Sequence, residues 1–477
     1  MKKKLIATLL TATLVASTLI GCGGASESAA PAPAAEATEE AKEDKAEAKE
    51  EAKDDTATGG ETVSIYVFGN DQEQAMYQEL FDKFAAENNC KVDAQFSIKD
   101  DYNTTITGMM TAKNLPDVFY MGPENVSQYV ENGYVMDLKP VFADNGLDTS
   151  DILQDILGMY EYNGGLYGVP HDSSVFAYAY NKDLFDEAGL PYPDSDNPYT
   201  YDEFVEVCKA LTKDTDGDGE IDQWGAGFAN AFMFYQFVWG NGASFCSDDY
   251  KTVTVTDPKF EEALQKFVDL TLVEKVTPTV EQDVANGPYQ RWLDGQVAFY
   301  ACGTWDIAAF MDKEVFKYDW DLCGYPILGS GVSQTWCGTV GYCVSSATQN
   351  PDLAAKLAYY MSASKEAMRL LSGIDGGASI QIPNLVSMVD TDFAGAVKDG
   401  SLKYPEHYPV LFNYLNGQGK FSVKFMETTF TPNAEWMDRF FEGLDSVKNG
   451  SVSVSEYCEK VQPEMQELLD EAWELVE

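Results

Sequence analysis

From Thr62 onward the sequence alternates strand-like and helix-like runs, and this alternation limits the fold more than any other feature. Val63-Ser64-Ile65-Tyr66-Val67-Phe68 is β-branched and aromatic and breaks at Gly69-Asn70-Asp71. Residues 74–87 then place Met76, Tyr77, Leu80, Phe81, Phe84 and Ala85 at helical spacing. A second strand over 91–96, a helix over 102–113 and a third strand over 116–120 continue the series. Such alternation predicts an α/β fold of βαβ units on a mostly parallel sheet. In open α/β sheets ligands bind beyond the carboxyl ends of strands, which puts Gly69-Asn70-Asp71 and Met121-Gly122 at the rim of a site. Further helices are expected over 201–212, 258–273, 351–362 and 463–476, with short strands over 165–169, 297–300 and 341–344.

The residues before this pattern read as an address. Lys2, Lys3 and Lys4 precede the apolar run over 5–20, a secretory signal too short and wrongly flanked to span a membrane. It ends in Leu19-Ile20-Gly21-Cys22, which resembles the lipobox of bacterial lipoproteins; Cys22 would become the lipidated mature N-terminus. Residues 23–61 are mostly Ala, Glu, Lys and Pro, without an aromatic or large apolar side chain, so they cannot offset their own ordering entropy. An acidic tether is the reading.

Charge excludes some functions. The 477 residues carry 78 Asp and Glu against 32 Lys and Arg, a formal net charge of −46. The three signal lysines and the tether's net −7 leave −42 on residues 61–477, so the folded body is itself a polyanion. No basic excess exists to neutralise nucleic-acid phosphates. Three arginines (Arg291, Arg369, Arg439) make clusters of bidentate anion clamps improbable, and two histidines leave little room for a His-rich metal site or imidazole catalysis. No G-x-S-x-G, H-E-x-x-H or phosphate-binding loop is present. The eight cysteines beyond Cys22 form no CxxC pair and predict no particular disulfides.

The most specific local chemistry is Asp214-Thr215-Asp216-Gly217-Asp218-Gly219-Glu220-Ile221-Asp222. Oxygen ligands at positions 1, 3 and 5, Gly at 6, a backbone carbonyl at 7 and Asp at 9 match the first part of an EF-hand loop. Position 12, normally a bidentate Glu, is Gly225. The expected cofactor is a structural calcium ion held by Asp214, Asp216, Asp218, the Glu220 carbonyl and Asp222; the alternative is a solvated acidic turn.

A series of ordered patches carries a family resemblance. These are Gly164-Gly165-Leu166-Tyr167-Gly168-Val169-Pro170, Tyr180-Asn181-Lys182-Asp183-Leu184-Phe185, Ala188-Gly189-Leu190-Pro191 and Thr200-Tyr201-Asp202-Glu203-Phe204. Trp292-Leu293-Asp294-Gly295-Gln296-Val297-Ala298-Phe299 follows, then Gly303-Thr304-Trp305, Tyr325-Pro326, and Gly338 to Gly341 before Ala354-Ala355. Their order and spacing resemble the extracellular solute-binding proteins of ABC importers, in the carbohydrate-binding group that is similar to maltose-binding protein.

The resemblance implies two α/β lobes around a ligand cleft, residues 62–174 with 337–399 and residues 175–336 with 400–477. Hinge crossings are expected near 174–178, near 335–338 and after Asp399. It implies a monomer that closes on a sugar and presents it to a membrane permease. Trp305 falls at a Trp that similar proteins use for stacking, Trp436 where they bring another aromatic to the cleft, and Asp172 where they place an acidic residue on sugar hydroxyls. Trp239 precedes a turn and could face either way; Trp336, beside the second hinge, reads equally as platform or core; Trp292 reads as core and His171 as a structural hydrogen-bonder. Asn70, Asp71, Tyr120 and Asn384 are weaker candidates, chosen by their place at strand ends or in loops. Three other functions stay open: binding of a polyamine or other cationic solute by aromatics and carboxylates, an exported glycan-active enzyme, and a calcium-dependent surface adhesin.

Overall fold

The first half of the expected alternation is observed almost residue for residue. In this computed structural model, which describes residues 60–227, 231–377 and 381–476, strand β1 (Thr62–Phe68) is followed by helix α1 (Asp71–Asn88), β2 (Lys91–Ser97), helix α2 (Lys99–Ala112) and β3 (Val118–Met121). All of the described residues fall within one unit, Ala57–Glu477. The signal, Cys22 and the tether up to residue 59 lie outside the described residues. No helix among the described residues is long and apolar enough to cross a membrane.

Helix α1 starts where the sequence dictates. Asn70 Oδ1 accepts from the backbone of Gln72 and Glu73 at 3.0 Å each, and Glu73 Oε2 accepts from the Asn70 N–H at 2.9 Å. This reciprocal cap satisfies orphan N–H groups and contributes about 1 kcal/mol. Met76, Tyr77, Leu80, Phe81 and Phe84 turn into the core.

A small hairpin, β4 (Glu161–Tyr162) with β5 (Gly165–Leu166), precedes β6 (Val169–Pro170). The remaining strands are β7 (Ser174–Asn181), β8 (Trp224–Gly227), β9 (Val297–Gly303), β10 (Trp320–Cys323), β11 (Ser333–Gly338), β12 (Gly341–Val344) and β13 (Phe421–Lys424). The first sheet has the order β2-β1-β3-β12-β6, and the second β13-β11-β7-β9-β8 with β10 also paired to β7. Neither is as parallel as expected. In the first sheet β1 is parallel to β2 and β3, whereas β12 is antiparallel to β3 and β6. In the second, β7 is antiparallel to β9, β10 and β11. All eight residues of β7 are buried, as befits a central strand covered on both faces.

The chain passes from the first sheet to the second through His171, Asp172 and Ser173, and back through Thr339 and Val340. Both passages lie a few residues from the expected 174–178 and 335–338, because those segments are regular strand within the second sheet. A later return brings β13 beside β11, with helix Pro409–Leu415 anchored by the Tyr414 hydroxyl, which accepts from the Tyr325 N–H at 2.8 Å.

The C-terminal helix begins earlier than its Pro463 implies. It spans Val454–Glu474 behind a capping box of Ser453 and Glu456, with Pro463 in its interior. Packing supports it there: the side chains of Gln462 and Gln466 accept from the backbone of Thr256 and Val253, and Met465 and Leu469 are fully buried. Tertiary contact outweighs the local cost of proline.

Candidate functional site

Strand register brings three aromatic rings together at the ends of β7, β9 and β11. Phe176 pairs with Gly303, so Trp305, two residues further on, arrives beside Phe176. The centroids of Phe176 and Trp305 are 5.0 Å apart, those of Phe176 and Trp336 5.6 Å, and those of Trp305 and Trp336 6.2 Å, all edge to face. Two glycines make this possible. A Cβ on Gly303 would collide with the Trp305 ring, and one on Gly338 with the Trp336 ring. Each indole therefore folds back over the backbone of a nearby glycine. Asp306 fixes the turn by accepting from the Gly303 N–H at 3.2 Å. Trp305 nevertheless remains 48% exposed, while Trp336 is half-buried. A large aromatic face held in place and half exposed can meet the flat face of a ligand.

Asp172 sits at the junction of the two passages. Its Oδ1 accepts from Thr339 Oγ1 at 2.8 Å and its Oδ2 from Ser174 Oγ at 2.6 Å. His171 N–H donates to the Val340 carbonyl at 2.8 Å. The carboxylate thus ties one passage to the other. Burial, together with Asp172 and Asp155, raises the pKa of the Cys337 thiol at the end of β11. Asp155, Cys337, Val423 and Phe425 line a recess of about 130 Å³ between helix Gln154–Gly158 and strands β11 and β13.

Glu124 adds a carboxylate that sequence reasoning missed. Its side chain folds across Gly122 just past β3, where a Cβ would collide with it. Desolvation by the surrounding protein raises its pKa.

Other candidates prove to be architecture. Trp436 is fully buried and donates from Nε1 to Thr431 Oγ1 at 3.0 Å. Trp239 is buried against Tyr235, centroids 5.2 Å apart, and donates to Glu427 Oε1 at 3.1 Å. In both, the indole N–H finds its partner inside the fold, so neither presents a face to a ligand. Trp292 is core as expected, stacked on Phe316 at 4.6 Å. Tyr120 turns under the first sheet, its hydroxyl 3.3 Å from that of Tyr77 and 3.4 Å from that of Tyr342. His171 Nε2 lies 3.1 Å from the Tyr77 hydroxyl, and burial lowers its pKa. Asn384 is buried and donates to the Pro170 carbonyl at 2.7 Å. Asn70 is spent on its cap, and Asp71 is the exposed first residue of α1. Phe176 escapes sequence reasoning because a Phe inside a strand gives no sign of its partners; only the pairing with Gly303 does.

In the acidic loop, carboxylate oxygens of Asp214, Asp216 and Asp218 lie within 4.8 Å of one another. Gly217 and Gly219 N–H groups donate to Asp214, and Glu220 N–H to Asp218, which turns the loop around these side chains. Asp222 is differently employed: its Oδ2 accepts from Thr215 N–H and Oγ1 at 2.8 Å each, which lowers its pKa. The twelfth position cannot supply a side chain, because Gly225 lies in β8 where a Cβ would collide with Cys208. Three converging carboxylates fit a hard cation that completes its shell with carbonyls and water.

Comparison with known proteins identifies the family and the fold. Residues 69–368 match the model of the family described as bacterial extracellular solute-binding protein. The diacetylchitobiose binding protein of Streptomyces coelicolor is 25% identical over 218 residues, 45% of this chain and 49% of that protein, so the chain spans about half of its length. An ABC substrate-binding protein from Listeria monocytogenes in complex with cycloalternan superposes with a TM-score of 0.72 at 22% identity, over 86% of this chain and 99% of that one. A Mycobacterium tuberculosis protein in complex with glycerophosphocholine gives a TM-score of 0.70 at 19% identity, over 87% and 99%. The fold is the two-lobe α/β fold of solute-binding proteins.

Proposed function

We propose that this chain, which belongs to the bacterial extracellular solute-binding protein family, captures a sugar or oligosaccharide in its interlobe cleft and delivers it to the permease of an ABC importer. The exposed Trp305, propped edge-on by Phe176 and Trp336, carries this reading. Sugars offer flat C–H faces rimmed by hydroxyls; an indole meets the face, and a carboxylate such as Asp172 accepts from the rim. The passages at residues 171–173 and 339–340 are the hinge. A ligand that touches both lobes only when they close draws the equilibrium toward the closed form. The named ligands of the Streptomyces and Listeria proteins support the sugar class.

The protein is read as a carrier and not an enzyme. Both histidines are engaged, His171 with Tyr77 and His407 with Asp321 at 2.8 Å. Export follows the family's extracellular description, with Cys22 lipidated and holding a monomer to the outer face of the cytoplasmic membrane. The loop over 214–222 binds a structural calcium ion. The test is isothermal titration against a panel of mono- and oligosaccharides, preceded by thermal-shift screening. Saturable binding without turnover is expected; a panel with no sugar hit would end the sugar reading.

A second reading is favoured by the glycerophosphocholine complex, whose ligand carries a cationic head. A site that combines carboxylates with an exposed aromatic face suits such a group. Spermidine and choline compounds, titrated beside oligosaccharides, separate the two.

A further inference from the structure

Three strands of the first sheet, β3-β12-β6, meet three of the second, β13-β11-β7, in matching order. Chain joins two of these pairs directly: β6 runs into β7 through residues 171–173, and β11 into β12 through Thr339 and Val340. The third pair is β3, with Met121 opposite Gly341 of β12, and β13, with Lys424 opposite Trp336 of β11. These two strands are far apart in the chain. Yet the short helical turn that follows β3, Pro123–Asn125, packs against the one beyond β13, Glu427–Phe430.

A buried hydroxyl bonds across this contact. Ser127, the second residue of helix Val126–Glu131, donates from Oγ to the carbonyls of Thr431 and Pro432, at 3.3 and 3.2 Å. The acceptors are held in place: Thr431 Oγ1 donates to the Asn433 carbonyl at 2.8 Å, and Asn433 Oδ1 accepts from the Glu435 N–H at 3.1 Å. The Ser127 bond is long for a hydroxyl donor, and its single proton is shared between two acceptors. Such a bond contributes about a factor of five to an equilibrium, enough to bias two lobes and too little to lock them. In the arrangement that it holds, Trp305 is 48% exposed, so the aromatic face is open to an incoming ligand.

We propose that Ser127 is a latch: it closes the third strand pair without a covalent link and holds the lobes in the arrangement that receives ligand. Its release frees the lobes to turn about the two passages and draws the equilibrium toward closure. The latch rests on the hinge reading above and adds the contact that sets the resting position.

Hydrogen exchange of the unliganded full chain tests it, comparing wild type with Ser127→Ala. The His171 and Asp172 amides bond across the passages, to the Val340 carbonyl and to Thr339 Oγ1. In the variant both are expected to exchange about fivefold faster, with the amides of β1 and β9 unchanged. Neither amide bonds to Ser127, so a merely local defect leaves both as they were. Should Ser127→Ala melt early, Ser127→Cys, which fills a similar volume with a weak donor, decides instead. Sugar affinity, titrated with the panel above, is expected to rise by about fivefold at most, because more of the protein reaches the closed form. Unchanged passage amides, faster exchange throughout the chain, or sugar affinity that does not rise overturns the latch and leaves the carrier reading intact. A wild type that binds no sugar overturns the carrier reading, and exchange at His171 and Asp172 still decides the latch.

Discussion

The indole of Trp305 meets the ring of Phe176 edge-on at 5.0 Å while nearly half of its surface faces solvent. Strand pairing between β7 and β9 sets that contact, and Gly303 gives the indole room to lie across the backbone. A ligand stacking on Trp305 therefore meets a surface whose orientation is already decided, which reduces the ordering cost of binding.

Replacing Trp305 with Ala removes the platform without opening the core. Loss of one stacked face should cost about 2 kcal/mol, or roughly thirtyfold in Kd, with little change in melting temperature. Gly303→Ala should weaken binding as well, because the added Cβ displaces the indole. Isothermal titration of both variants checks this; a Kd within twofold of wild type for Trp305→Ala would remove Trp305 from the site.

Trp436→Ala should behave in the opposite way. The residue is fully buried with its N–H bonded to Thr431, so truncation leaves a cavity and removes that hydrogen bond. About 3–5 kcal/mol of stability should be lost, read by urea denaturation, while ligand affinity measured well below the melting temperature stays near wild type. A variant that is stable but binds poorly would return Trp436 to the site.

These two tryptophans show where sequence is legible and where it stops. The strand and helix periods of residues 62–121 are local properties, and the elements appear close to where the pattern puts them. Trp305 is identifiable because it follows a glycine at a strand end inside a family-like patch. Trp239 lies in helix Ala231–Gly240, whose run of aromatic residues has no polar face to say which way any one of them turns. Phe176 comes beside Trp305 only through its pairing with Gly303, and no local signal records register between distant strands. Glu427 resembles any surface carboxylate in sequence, yet the fold buries it beneath Trp239.

Calcium should act on stability rather than on ligand binding. The Asp214, Asp216 and Asp218 carboxylates repel one another until a cation joins them. Adding millimolar Ca²⁺ to chelated protein should raise the melting temperature by several degrees, at a ligand concentration of a hundred times Kd corresponding to about 2.7 kcal/mol. Asp216→Asn should abolish most of the shift and leave sugar affinity unchanged. A melting temperature indifferent to both EDTA and Ca²⁺ would make the loop a solvated turn.

Asp283 supplies a pH dependence of defined sign. Burial raises its pKa to about 6, against the opposing pull of Arg291, whose Nε is 3.7 Å away, and of Lys448. In the unfolded chain this carboxyl ionises near its ordinary value of 3.8. Between those two values the folded state holds the proton and the unfolded state has released it. The contribution to stability is therefore present at low pH, falls as pH rises through the window from about 4 to 6, and is level above it. The loss is on the order of 2 kcal/mol. Asp283→Asn cannot ionise, so its stability relative to wild type should rise by that amount between pH 4 and pH 7. Parallel urea-denaturation curves for the two proteins across this range would show that Asp283 titrates no differently in the fold than in the open chain.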